Sequence, residues 1–251
     1  MTEAYFWGGY YLVEGSDRSN WMNPSLIPQK FYSVSNCICS HHPSLSMLSW
    51  TCDAGDKEKY RTKLGLTVKE FQALQNKADR WFDLDLYAWG EVLLDLDLAK
   101  EFAANYLSHL QNIKLLAIAT TANYRDLFLQ SESALNNSEI GICQALKSHQ
   151  TIEIERTLAS RYNGLQTRNA QARDFLGYEI LGYEYGGFHS FVCNHLETDF
   201  ANKLKIKLNQ YGLIEQYDLA TKASDYANNP NTGAEPVLWM PWAIVELDLA
   251  Q

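Results

Sequence analysis

The sequence predicts an α+β fold: a mixed, largely antiparallel sheet with packed amphipathic helices, forming one compact unit over residues 1–251 whose only candidate sub-division lies near 150–174. Three observations lead there. Thr67 and Glu70 form a capping box ahead of Val68, Phe71, Leu74, Ala78 and Trp81, whose spacing is that of one helix face. Residues 113–120 are a continuous apolar run bounded by polar ones, as a central strand buried on both faces requires. Aromatic and β-branched stretches broken by glycine or tight-turn residues recur at 5–13, 83–97 and 177–185, which is the pattern of strands joined by hairpins.

Taken in order, Tyr5 to Val13 is an aromatic strand in which Gly8 and Gly9 mark a bulge or a close backbone approach. Ser16 to Gln29 is polar, contains Pro24 and Pro28, and reads as a loop. Phe31 to Ile38 and Leu45 to Cys52 are expected as short paired strands, and the charged stretch Asp53 to Lys63 as an exposed connection. The capping box opens a helix over 68–81. Asp83 to Asp97 alternates acidic and apolar residues and turns near Trp89-Gly90 as a hairpin. An amphipathic helix follows from Leu98, with Asp97 as its N-cap, and further helices are expected over 123–130 and 139–148. Gln150 to Asp174 is polar and basic, and reads as an excursion. A strand over 177–185 then meets Gly186-Gly187, and Phe188, Val192, Leu196, Phe200 and Leu204 predict a helix beginning at Phe188. Gly212 is expected to terminate a helix, Leu213, Tyr217, Ala220 and Ala223 to mark another that ends at the Asn228 to Gly233 turn cluster, and Val237 to Leu249 to close the fold as a strand whose Pro241 places it at a sheet edge or a bulge.

The 251 residues are 46% hydrophobic and 20% charged, which gives ample apolar surface for a core and excludes intrinsic disorder. Net charge is −9, and from Asp174 onward 11 acidic side chains face 4 basic ones. Such a field repels phosphate backbones and anionic lipid, so the expected partner is a basic protein, not nucleic acid or membrane. No basic start leads into an apolar run, no segment is long and apolar enough for a membrane helix, and five cysteines cannot all pair. These features predict a cytoplasmic location.

Candidate sites compete with plainer explanations. His189, Cys193 and Glu197 would line one face of the predicted helix as a ligand or nucleophile row, but the apolar arc around them favours a hydrogen-bonded core histidine and a packed thiol. His195 and Asp199 are placed to pair. Cys37, Cys39, His41, His42 and Cys52 are zinc-ligand types at a spacing that does not suit a structural zinc site. Asp83, Asp85, Asp95 and Asp97 are weighed as a divalent-ion cluster and read instead as capping and solvated residues. Gly186-Gly187 is a weak anion cradle, explained by its turn. Trp89, Trp239 and Trp242 are candidate interface anchors. No cofactor motif, G-x-S-x-G or H-E-x-x-H occurs. The reading that follows has no catalytic residue, no metal and no cofactor, with Asp83, Asp85, Trp89 and Glu91, or Glu184 and Tyr185, as the contact residues.

The stretches LGYEILGYEYGGFHSFVCNHLETDF and GAEPVLWMPWAIVEL resemble the C-terminal portion of uncharacterised cytoplasmic bacterial proteins similar in character to immunity proteins that neutralise polymorphic toxins. The resemblance implies a non-enzymatic acidic protein that occludes a toxin's active site. Two alternatives are a metal-dependent or cysteine/histidine hydrolase, and a small-molecule sensor with a pocket under the Gly186-Gly187 turn.

Overall fold

Two long strands set the frame. In the computed structural model, which describes residues 2–35, 38, 54–88, 92–131, 141–148, 151–155, 166–167, 172–184 and 187–249, β1 (Thr2–Glu14) and β9 (Ala172–Glu184) each span 13 residues. Between them lie β6 (Ile113–Thr121) and β11 (Trp239–Leu247). The main sheet runs β10-β9-β11-β6-β1-β5-β4, with β10 at Gly187–Ser190, β5 at Val92–Leu93 and β4 at Tyr87–Ala88. β7 (Thr151–Glu155) pairs with the start of β1 and carries β8 (Gln166–Thr167). Every pairing is antiparallel. A separate two-stranded ribbon joins β2 (Ser16–Asp17) to β3 (Lys30–Phe31).

Both faces of the sheet are buried. One face gathers Tyr5, Trp7, Leu12, Ala117, Ala119, Tyr178, Ile180 and Trp239, the other Tyr11, Val13, Ile118, Leu181, Tyr183 and Trp242. Bulges explain why an odd-numbered Trp7 and an even-numbered Leu12 share a face. The register with β6 shifts between Trp7 and Gly9, and Gly9 sits at φ +129° where a Cβ would come within 2.1 Å of Val92 Cγ2. Gly177, at φ +139°, does the same for β9. On the first face, small residues Ala117, Ala119 and Ala243 leave room for Tyr5 and Tyr178 to reach across, and their hydroxyls meet at 2.7 Å.

Helices cover the two faces. α1 (Ala54–Lys63) and α2 (Val68–Asp83) pack Tyr60, Phe71, Leu74 and Ala78 on the first face, with α2 opened by the predicted capping box. α3 (Leu96–Phe102) continues into a π-helical turn at Ala103–Leu107. α4 (Ala122–Gln130) and α5 (Gly141–Lys147) bring Phe128, Ile142, Cys143 and Leu146 to the second face. α6 (Glu197–Lys203) and α7 (Tyr217–Ala227) return to the first. None of the helices among the described residues is long and apolar enough to cross a membrane.

Several expectations need correction. No helix begins at Phe188: residues 187–190 form β10 against β9, residues 191–196 turn, and the helix starts at Glu197. The fourfold spacing is coincidental, because Phe188 packs on the second face while Val192, Leu196 and Phe200 pack on the first. Pro241 lies on a central strand, with β9 registered against it at Ile180. It is tolerated because the register with β6 spans Ala243 to Leu247 and so leaves Pro241 beyond it, where its carbonyl accepts Thr120 Oγ1. Gly212 ends no helix; its φ of +82° serves a loop ordered by Asn209, whose Oδ1 accepts the Tyr211 and Leu213 amides. Only Phe31 of the stretch to Ser35 is in a strand, and Ala54 to Lys63 is helical. The proposed strand at 45–52 lies outside the described residues, as does most of 156–171.

Candidate functional site

The C-terminal end of α2 is built at visible cost. Helices close most easily with glycine in the left-handed conformation just past the cap. Here Asp85 takes that place at φ +56°. The Leu86 amide donates to the Trp81 carbonyl and the Asp85 amide to the Phe82 carbonyl, a complete Schellman closure. Leu86 and Trp81 each pack against the first-face core. A side chain in this conformation is disfavoured by roughly 1–2 kcal/mol. Asp83 and Asp85 also place negative charge at the negative end of the helix dipole. Neither the helix closure nor the helix dipole therefore favours a carboxylate at these two positions.

Around them the surface is both apolar and acidic. Leu84 is 66% exposed and Phe82 41%. Phe82 meets Tyr87 edge-on with ring centroids 6.4 Å apart. The hairpin pairs Tyr87 with Leu93, and the Leu94 amide donates to the Leu86 carbonyl, so the chain enters Asp95 and Asp97 at the open end of the hairpin from which Asp83 and Asp85 lead in. The presence of Asp95 does have a structural reason. Asp95 Oδ1 accepts the Leu98 amide at 2.7 Å and is the N-cap of α3, so the cap falls two residues before the expected Asp97. Burial, with Asp95 and then Asp97, pushes the Tyr10 phenol up to about 12. Asp85 Oδ1 accepts Gln144 Nε2 of α5 at 3.2 Å. Of the other predicted contact residues, Trp89, Glu91 and Tyr185 lie outside the described residues, and Glu184 is half-buried at the end of β9. Glu184 lies next to β10, on the opposite sheet edge from β4, so the two predicted contact groups do not converge.

The histidine and cysteine row is dispersed over a strand, a turn and a helix. His189 on β10 places Nδ1 2.9 Å from Glu235 Oε2, which also accepts Asn194 Nδ2 at 3.0 Å. Cys193 is in the turn, its Sγ 3.6 Å from Ser35 Oγ. That hydroxyl donates to the Phe188 carbonyl and accepts the Ser190 amide, so it covers the outer edge of β10. His195, at φ +56°, is exposed against the edge of Trp21. Asp199 does not pair with it but accepts Tyr226 Oη and bridges to Lys203, and these bonds lower its pKa. Glu197 is 5% exposed, its Oε2 has no hydrogen-bond partner among the described residues, and burial raises its pKa. Among the described residues no group of three His, Cys, Asp or Glu is placed to hold a metal ion, and Cys37, Cys39, His41, His42 and Cys52 lie outside them.

Two further expectations fall. Gly187 begins a strand, so no helix N-terminus follows it to receive an anion; Gly186 lies outside the described residues. Trp239 and Trp242 are 0% and 1% exposed and belong to the two cores, which removes them as interface anchors. Sequence reading also missed Leu84 and the strained Asp85 as a unit. The available signal was an aspartate where a helix terminator calls for glycine or asparagine. In comparisons with known proteins, no family model, no curated protein and no solved structure matches the chain.

Proposed function

We propose that the protein is a non-enzymatic binding protein that presents the Phe82–Asp85 corner to a basic protein partner, most concretely as an immunity protein occluding the active site of a bacterial toxin. One observation carries this reading: Asp85 is held in a left-handed conformation at a helix C-terminus, with its neighbours Leu84 and Phe82 exposed. Strain kept at a surface where glycine would relieve it points to use of the side chain. Apolar side chains supply the contact area and the carboxylates steer a basic partner toward it. Toxin domains that act on nucleic acids carry basic clefts, to which clustered carboxylates are complementary.

The test is affinity capture from the native host with the wild-type chain and an Asp83→Lys/Asp85→Lys variant of matched circular dichroism. The wild type is expected to retain a basic protein whose association slows as salt is raised, with the rate falling about tenfold or more in the variant. The captured protein, expressed alone, is expected to arrest growth, and co-expression with this chain to restore it. Unchanged association rate and salt dependence on charge reversal defeat the binding reading; a harmless partner defeats the toxin form of it. The hydrolase alternative has the His189–Glu235 pair in its support, since a carboxylate on Nδ1 is what orients a basic imidazole. His189→Gln separates the two, because neutralisation by an occluding protein survives that substitution.

A further inference from the structure

Two unfavourable features meet where β10 leads into α6. His195 is exposed and takes a left-handed φ of +56°, its amide donating to the Val192 carbonyl at 3.1 Å. Glu197, the first residue of α6, is 5% exposed, and its Oε2 has no hydrogen-bond partner among the described residues. Burial opposes a carboxylate in such a place and tolerates a protonated carboxyl. The helix offers the charged form an alternative. Its N-cap is Leu196, no side chain caps it, and a negative charge turned outward at a helix start is favoured by the dipole.

The turn is also a junction. Asn194 exchanges two hydrogen bonds with Glu235 in the loop before β11: its Nδ2 donates to Oε2 at 3.0 Å, and its Oδ1 accepts the Glu235 amide at 2.9 Å. On the other side, His195 lies edge-on to Trp21 with ring centroids 5.3 Å apart. The other titratable groups of these elements have partners: Asp199 is held by Lys203 and Tyr226, His189 by Glu235, Cys193 by Ser35, and Arg18, in the loop of Trp21, by the Pro24 and Ile27 carbonyls. His195 is the charged group that acts on the Glu197 carboxyl, in the sense opposite to burial.

Independently of the binding-protein reading, we infer that residues 191–197 form a pH-operated latch: the protonated Glu197 carboxyl keeps the turn closed, and its ionisation expels the side chain, relaxes His195 and releases the hold of Asn194 on the loop before β11. Burial outweighs both the imidazole and the residue's own amide, so the buried carboxyl gives up its proton at a higher pH than a released one. The closed turn is therefore favoured in acid and lost as pH rises from about 4.3 through the buried value.

The test is amide hydrogen exchange on the full chain between about pH 4 and pH 7, corrected for intrinsic exchange, with an NMR titration of the Glu197 carboxyl carbon. Protection of the Leu196 and Glu235 amides is expected to fall by about tenfold for each pH unit between the released and the buried value, and to level off above the carboxyl's own midpoint. Glu197→Gln is expected to hold protection constant across this range. His195→Asn, which keeps a residue suited to the left-handed conformation and removes the imidazole, is expected to retain the fall. The 5-fluorotryptophan resonance of Trp242, on the second face, should keep its native intensity throughout. Protection independent of pH, a fall that persists in Glu197→Gln, or one abolished by His195→Asn overturns the inference. Loss of Trp242 intensity together with the turn would make the opening global and overturns it too. Should Glu197→Gln fail to fold, the wild type decides, because a carboxyl midpoint that does not coincide with the levelling of protection has the same effect.

Discussion

Asp85 and Glu197 are single residues that work against the fold, and each makes a prediction. Asp85→Gly should relieve the left-handed strain and stabilise the protein by about 1 kcal/mol in urea denaturation, while weakening partner association. Stabilisation without loss of association would mean that the strain serves no contact. Glu197 has a folded pKa raised by burial. A carboxyl of this kind binds its proton more readily when folded, so it favours the fold at low pH and opposes it as pH rises from about 4.3 through the folded value. Glu197→Gln should therefore stabilise at pH 7 by on the order of 1 kcal/mol, with the gain disappearing below pH 4. Taking the difference between wild type and variant isolates this slope from Glu58, Glu70 and Asp199, whose lowered values act in the opposite sense. A gain independent of pH would assign the effect to packing.

At the scale of elements, the bulges in β1 and β9 decide which side chains reach which core. Gly9→Ala brings a Cβ within 2.1 Å of Val92 at a φ of +129° and should cost about 3 kcal/mol, whereas Gly65→Ala, at φ +69° with nothing within 4 Å, should cost about 1 kcal/mol. Comparable losses from the two would show that β1 tolerates a straightened register. This bulge was readable from Gly8-Gly9, just as α2 was readable from its cap and β6 from its apolar run, because each rests on local chemistry. The segment after Gly187 was not. Its apolar residues repeat every fourth position, yet Ser190 is paired to Leu181 and Glu197 is the first residue to be helical. Only the partner strand reveals that Phe188 belongs to a different core from Phe200. The same limit applies to the site: Asp83 and Asp85 could be named from composition, but the reason they matter, a left-handed aspartate closing a helix, is a backbone angle no residue pattern states. Trp239 and Trp242 mislead for the converse reason, since an aromatic beside a carboxylate looks alike in sequence whether it fills a core or faces a partner.

For the molecule as a whole, the two cores are not independent bodies, because they are opposite faces of the same strands. Ile118 and Ala119 are neighbours on β6 yet belong to different clusters, and so do Trp239 and Trp242 on β11. Unfolding one face exposes the backbone that orders the other, which predicts a single cooperative transition. In protein labelled with 5-fluorotryptophan, the resonances of Trp239 and Trp242, assigned by Trp239→Phe and Trp242→Phe, should lose native intensity at one urea midpoint, coincident with far-UV circular dichroism. Two midpoints would show that the faces melt separately. The outcome bears on recognition as well, because the acidic corner is tied to both: α2 packs on the first face, and Gln144 of α5, whose neighbours Cys143 and Leu146 lie on the second, holds Asp85. A corner fixed from both sides is pre-organised for its partner, so its association should be governed by charge steering and not by a conformational step. Accordingly the association rate should fall with ionic strength while remaining linear in partner concentration; a rate that saturates at high partner concentration would show that the corner must rearrange before it binds.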